Sequence, residues 1–84
     1  MSKRRQRNER DWPDWENLPG NCRRYWFRRP GREWGWQIIF KEVVFDPKTQ
    51  LEETARLWQE IYANDGRLVE RHQKFPADTG HQKL

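Results

Sequence analysis

The sequence predicts a mainly β protein: a small antiparallel four-stranded meander sheet behind a disordered or extended N-terminal arm. Three observations point there. Aromatic and aliphatic residues alternate with arginines and polar residues over 22–45. Pro30-Gly31 divides that run as a turn, because proline presets the second turn position and glycine accepts positive φ at the third. A second turn, Asn64-Asp65-Gly66, stands between Tyr62 and Leu68.

The chain has 84 residues, of which 33% are apolar, 36% charged and 14% aromatic. A chain of this size has room for one domain and buries only about 60–65% of its unfolded surface. A substrate-sized cleft with its own walls is therefore not expected. Six tryptophans imply a core of a few large flat side chains. The expected layout is a basic, Trp-containing arm over 1–20, one small domain over 21–76 and a polar tail over 77–84.

Residues 1–20 show no helical or strand period. Trp12-Pro13-Asp14-Trp15 cannot begin a regular helix, since the residue before proline avoids the helical region. The run over 22–45 is a hairpin. Arg29 opposite Arg32, or Arg29 opposite Trp34, gives the same face assignment. Both place Tyr25, Phe27, Trp34, Trp36, Ile38 and Phe40 together, with Trp36 and Phe40 buried. Arg24, Trp26, Arg28, Gln37 and Ile39 fall on the opposite face.

Residues 46–63 support two readings. In the first they form strand, leading into the hairpin at 62–68. In the second the fold is α+β, in the order β-β-α-β, with a helix at about 48–63. Asp46 then caps it, Pro47 takes the first helical position, and Leu51, Ala55, Trp58 and Ile61 or Tyr62 make the apolar stripe. Tyr62-Ala63-Asn64-Asp65-Gly66-Arg67-Leu68 resembles the YD-repeat hairpin of RHS-type proteins, whose pattern is Tyr, a few turn residues, then Gly-Arg-Leu. The likeness is confined to residues 62–68, with Ala63 where the pattern has Asp. It implies a hairpin shape and nothing about function.

Charge is distributed unevenly within a net +4. The first part carries the arginines, and the segment 41–65 is acidic. That asymmetry points to an acidic protein surface or nucleic acid as partner. Arg4 and Arg5 of the arm, Trp12 and Trp15 beside the prolines, and Arg24, Trp26, Arg28 and Arg29 of the first hairpin are the candidate partner-binding residues. Arginine grips carboxylate or phosphate through a planar fork, and Trp and Arg are common interface anchors.

The leading expectation is a non-catalytic adaptor or accessory subunit acting through protein–protein contacts. A nucleic-acid-binding regulator and a small ribonuclease-type toxin are the alternatives. Free sheet edges also allow a homodimer. No catalytic residue, cofactor or metal is expected. Cys22, His72 and His81 lack the close spacing of a metal site. A pair of Cys22 with one of the two histidines, oriented by Asp78, is arithmetically possible but nothing places the three together. No apolar run follows the basic start and none reaches membrane-spanning length, so the expected location is cytoplasmic, away from membranes.

Overall fold

The computed structural model describes residues 3–31 and 35–83. Among them are one helix and six strands: α1 (Lys3–Asp11), β1 (Asp14–Leu18), β2 (Cys22–Pro30), β3 (Trp36–Asp46), β4 (Leu51–Tyr62), β5 (Leu68–Phe75) and β6 (Gly80–Lys83). The strands form one antiparallel sheet in sequence order, each paired with its chain neighbours. The mainly β meander is as expected, but it has six strands and not four. The two extra strands are β1, from within the expected arm, and β6, from within the expected tail. Each is short and polar, so neither shows a period of its own. Pairing with a longer neighbour supplies the backbone hydrogen bonds that the local sequence does not signal.

The expected arm is extended only over Asp14–Leu18, as β1; its first part is the helix α1. Arg, Gln and Glu favour helix intrinsically. Yet its first turn holds no acidic residue to favour the helix dipole, and no apolar stripe runs along it. Tertiary contacts hold it instead. Arg5 Nε and Asn8 Nδ2 donate to the Glu52 carboxylate of β4 at 3.0 and 3.1 Å. Lys41 Nζ donates to Asn8 Oδ1 at 2.9 Å. Just beyond the helix, Trp12 packs its ring on Phe27 and Tyr25, with centroids 5.0 and 6.5 Å away.

The first hairpin forms where expected, but its register differs. Pro30 opposes Trp36, and Arg29 opposes Gln37. The connection is Gly31 to Gly35, closed by a bond from Gly31 N to Gly35 O at 3.0 Å. This longer loop changes the parity of the pairing. Tyr25 and Phe27 therefore share a face with Ile39, while Trp36, Ile38 and Phe40 share the other with Arg24, Trp26 and Arg28. Trp36 and Phe40 are half-buried, where burial was expected. Trp34 lies outside the described residues. Gly35 has φ +70°, and a Cβ there would stand 1.9 Å from the Tyr62 carbonyl oxygen. Glycine is the residue that allows this approach.

The helix alternative over 48–63 is not adopted. Its start signal is used for a single turn: Lys48 N donates to Asp46 Oδ1, Gln50 N donates to Asp46 O, and Gln50 turns the chain at φ +59°. Leu51–Tyr62 then pairs with β3 and, from Leu57 on, with β5, placing apolar residues on both faces. The second hairpin forms as expected, with Tyr62 opposite Leu68.

The sheet has two unlike faces. The first, facing α1, carries Tyr25 and Val43, both fully buried, and Ile39. Glu52 joins them because it faces the helix. The second face carries no helix.

Candidate functional site

On the helix-facing side, the polar groups are spent on one another. Tyr25 Oη donates to Glu52 Oε1 at 2.7 Å, and Arg23 Nη1 donates to Tyr25 Oη at 3.3 Å. Arg23 also meets Asn17 at 2.8 Å and Glu9 at 3.5 Å. Burial raises the Glu52 carboxyl, but hydrogen bonds from Tyr25, Asn8 and Arg5 and the Arg5 charge together hold it below the usual carboxylate value. Burial and the Glu52 contact push the Tyr25 phenol up to about 12. Tyr25, which follows Arg23 and Arg24 on β2, is closed from solvent.

The second face is organised in rows running across the strands. One row is Glu16, Arg24, Glu42 and Arg56. Arg24 reaches Glu42 at 2.9 Å and Glu16 at 3.0 Å. The next is Asp14, Trp26, Phe40, Trp58 and Gln73. Phe40 and Trp58 are stacked, with centroids 4.8 Å apart and planes 10° apart. That separation equals the strand spacing, so the rings stack along the sheet and turn their edges outward. Arg56 lies 4.3 Å from the Trp58 ring. The third row is Arg28, Ile38, Glu60 and Arg71. Glu60 collects the Tyr62 hydroxyl at 2.7 Å, the Trp58 indole at 3.3 Å and Arg71 at 3.4 Å. Burial and the Glu60 contact push the Tyr62 phenol up to about 12.

At the loop end, the Arg28 guanidinium sits 4.4 Å from the Trp36 ring, and Tyr62 stacks on that ring from the other neighbouring strand at 5.8 Å. A shallow groove of about 410 Å³ opens here, lined by Arg28, Arg29, Pro30, Gly35 and Trp36. Arg29 donates to Gln37 Oε1 at 3.2 and 3.3 Å, and Gln59 donates to the same oxygen. Neither Arg28 nor Arg29 has a carboxylate partner among the described residues. Both are exposed.

The expected site residues thus separate into groups. Arg5 is committed to Glu52 and lies 4.3 Å from the Phe45 ring. Arg24 is committed to two carboxylates, and Trp12 to the rings under the helix. Arg4 lies on α1. Trp15, 39% exposed, stands on edge strand β1 near Arg23 and Tyr25. Trp26 is half-buried and stacks on no other ring among the described residues. Arg28 and Arg29 come together at the groove. Trp36 belongs with them. Sequence reasoning placed Trp36 in the core, and only the observed loop length moves it to this face.

Cys22 and His72 are not brought together: Cys22 lies on β2 and His72 on β5, on opposite faces. His72 does meet Asp78, with Nε2 and Oδ1 2.6 Å apart, and packs on His81 with ring centroids 4.5 Å apart. Among the described residues no group of three or more His, Cys, Asp or Glu side chains is arranged to hold a metal. No helix among them is long and apolar enough to cross a membrane. Comparison of the chain with protein-family models, curated proteins and solved structures finds no match.

Proposed function

We propose that this chain is a non-catalytic binding protein, an adaptor or accessory subunit, and that it takes an acidic segment of a protein partner at the Arg28–Arg29–Trp36 groove. The observation that carries this reading is the contrast among the arginines. Arg5, Arg23 and Arg24 have carboxylate partners, whereas Arg28 and Arg29 flank an open groove without one among the described residues. A partner carboxylate arriving there meets the Arg28 guanidinium beside an indole ring that is already fixed by stacking, while Arg29, whose side chain stands on the opposite face with Gln37, adds its charge at the rim. Such anchors carry a large share of interface energy.

A nucleic-acid partner is supported less. Base stacking needs ring faces, and Phe40, Trp58, Trp36 and Tyr62 present theirs to one another or to arginine. Trp26 alone among the candidate rings of that face is stacked on no other ring.

The experiment pairs two charge reversals, in the protein purified with whatever co-purifies. Arg28→Glu with Arg29→Glu is expected to keep the native circular dichroism spectrum and to lose a co-purifying acidic protein. Retention of that protein by the folded double variant removes the groove from the reading. A high absorbance ratio at 260 to 280 nm that falls in salt would favour the nucleic-acid alternative.

A further inference from the structure

We infer that the helix-free face of the sheet is covered by a second copy of this chain, packed face to face as a two-sheet sandwich. The argument begins with what that face leaves open. Trp26, Trp36, Ile38, Phe40, Tyr62 and Leu68 lie on it and are only half-buried, and Val44 is 41% exposed. Trp58 is the one apolar residue of that face that is buried among the described residues. A single-layer sheet keeps this apolar surface when one face lacks a second layer.

Charge decides the occupant. The chain is +4 overall, but on this face the four arginines of its rows meet five carboxylates: Asp14, Glu16, Glu42, Glu60 and, opposite Val44, Glu53. A polyanion would find no net attraction here. A second copy would meet a nearly neutral surface on which carboxylates and arginines alternate along the row Glu16, Arg24, Glu42 and Arg56, so a shift of one strand sets unlike charges opposite one another. The positive excess lies on other surfaces and stays clear of the contact.

Area is also sufficient. The molecule extends 43 Å by 24 Å in its two long directions, which bounds the face at on the order of 1,000 Å² against about 800 Å² per partner in a standard interface. The sheet edges fit a second copy less well. β1 has five residues between Pro13 and Pro19, and β6 has four, so an edge-paired dimer would gain few backbone bonds.

The test is the mass in solution by light scattering and sedimentation, at about 100 µM and on dilution. The expected mass is twice the chain mass of 10.5 kDa. Val44→Asp places a carboxylate on the face, at the far end of β3 from the groove, and is expected to raise the dimer Kd by at least about a hundredfold with an unchanged circular dichroism spectrum. His81→Pro on edge strand β6, where the side chain lies with His72 on the helix-facing side, is expected to leave the dimer intact. Should Val44→Asp lose its native spectrum, the near-isosteric Val44→Thr serves for the same comparison. A monomeric wild type at that concentration overturns the inference. So does a dimer that survives Val44→Asp, or one lost in His81→Pro. Arg28 and Trp36 lie at the loop end of the same face, so a partner at the groove and the second copy compete for that end; Val44→Asp, at the opposite end of β3, weakens the dimer while leaving the groove residues in place, so the two readings fail separately.

Discussion

Replacing Glu52 by glutamine should detach the helix from the sheet. The Glu52 side chain is fully buried and accepts from Tyr25 Oη at 2.7 Å, Arg5 Nε at 3.0 Å and Asn8 Nδ2 at 3.1 Å. Glutamine keeps the volume and one acceptor oxygen. Its amide nitrogen then turns a donor toward one of three existing donors. Losing a charge-assisted bond costs about 1.5–3 kcal/mol, and breaking a buried ion pair on one side costs about 3–5 kcal/mol. Arg5 is partly exposed and recovers some solvation, so the expected loss is roughly 2–3 kcal/mol for Glu52→Gln. In a domain of this size that lowers the melting temperature by roughly 10–20 °C.

The same residue gives a pH signature. Its folded-state value lies below the ordinary one of 4.5, so the stability it contributes is present above that value and is lost as pH falls through the folded value. Urea titrations between neutral pH and pH 3 measure both effects. Wild type should lose stability steeply below about pH 4.5, and Glu52→Gln should show a shallower fall. A Glu52→Gln protein within about 0.5 kcal/mol of wild type at pH 7, with an equally steep acid limb, would refute the anchoring role.

Three further outcomes follow from the same contacts. Arg24→Glu breaks two ion pairs on one side and should cost about 1–3 kcal/mol, whereas Arg28→Glu with Arg29→Glu should stay within about 0.5 kcal/mol; chemical denaturation of both variants checks the contrast. Gly35→Ala adds a left-handed non-glycine residue and a clash with the Tyr62 carbonyl, so a loss of at least about 3 kcal/mol is expected by thermal melting. Tyr25 and Tyr62 are raised to about 12, so absorbance near 295 nm should show little tyrosinate at pH 10–11 while the fold persists. The stability they contribute is complete below the unfolded value of 10.0 and is lost as pH rises toward 12. Ordinary ionisation near pH 10 in folded protein would contradict their burial.

The β character, the two hairpins and the Asn64-Asp65-Gly66 turn were legible in the sequence because they are local, whereas Pro30, expected inside the first turn, is the last residue of β2 and pairs with Trp36. Alternation over 22–45, Pro30-Gly31 and the Asn64-Asp65-Gly66 turn each act within a few residues. The arginines of the first hairpin were legible as candidates for the same reason. Which of them were free was not. Arg24 and Arg28 sit on the same face of the same strand, yet Arg24 lies opposite Glu42 and Arg28 opposite Ile38. That difference belongs to register, and register here follows from the loop Gly31 to Gly35. A change of one in its length exchanges the faces of every β3 side chain, which is why Trp36 moved from expected core to groove.

The helix at Lys3–Asp11 and the strand at Leu51–Tyr62 were decided further away still. The helix has no apolar stripe and no acidic residue in its first turn, and Glu52, far along the chain, supplies its anchor. Leu51–Tyr62 carries both a helical stripe and strand-favouring residues; β3 on one side and β5 on the other settle it by offering backbone partners. Local sequence determines turns and alternation because their energies are local. Parity, helix docking and the commitment of each arginine depend on contacts that exist only once the sheet has closed.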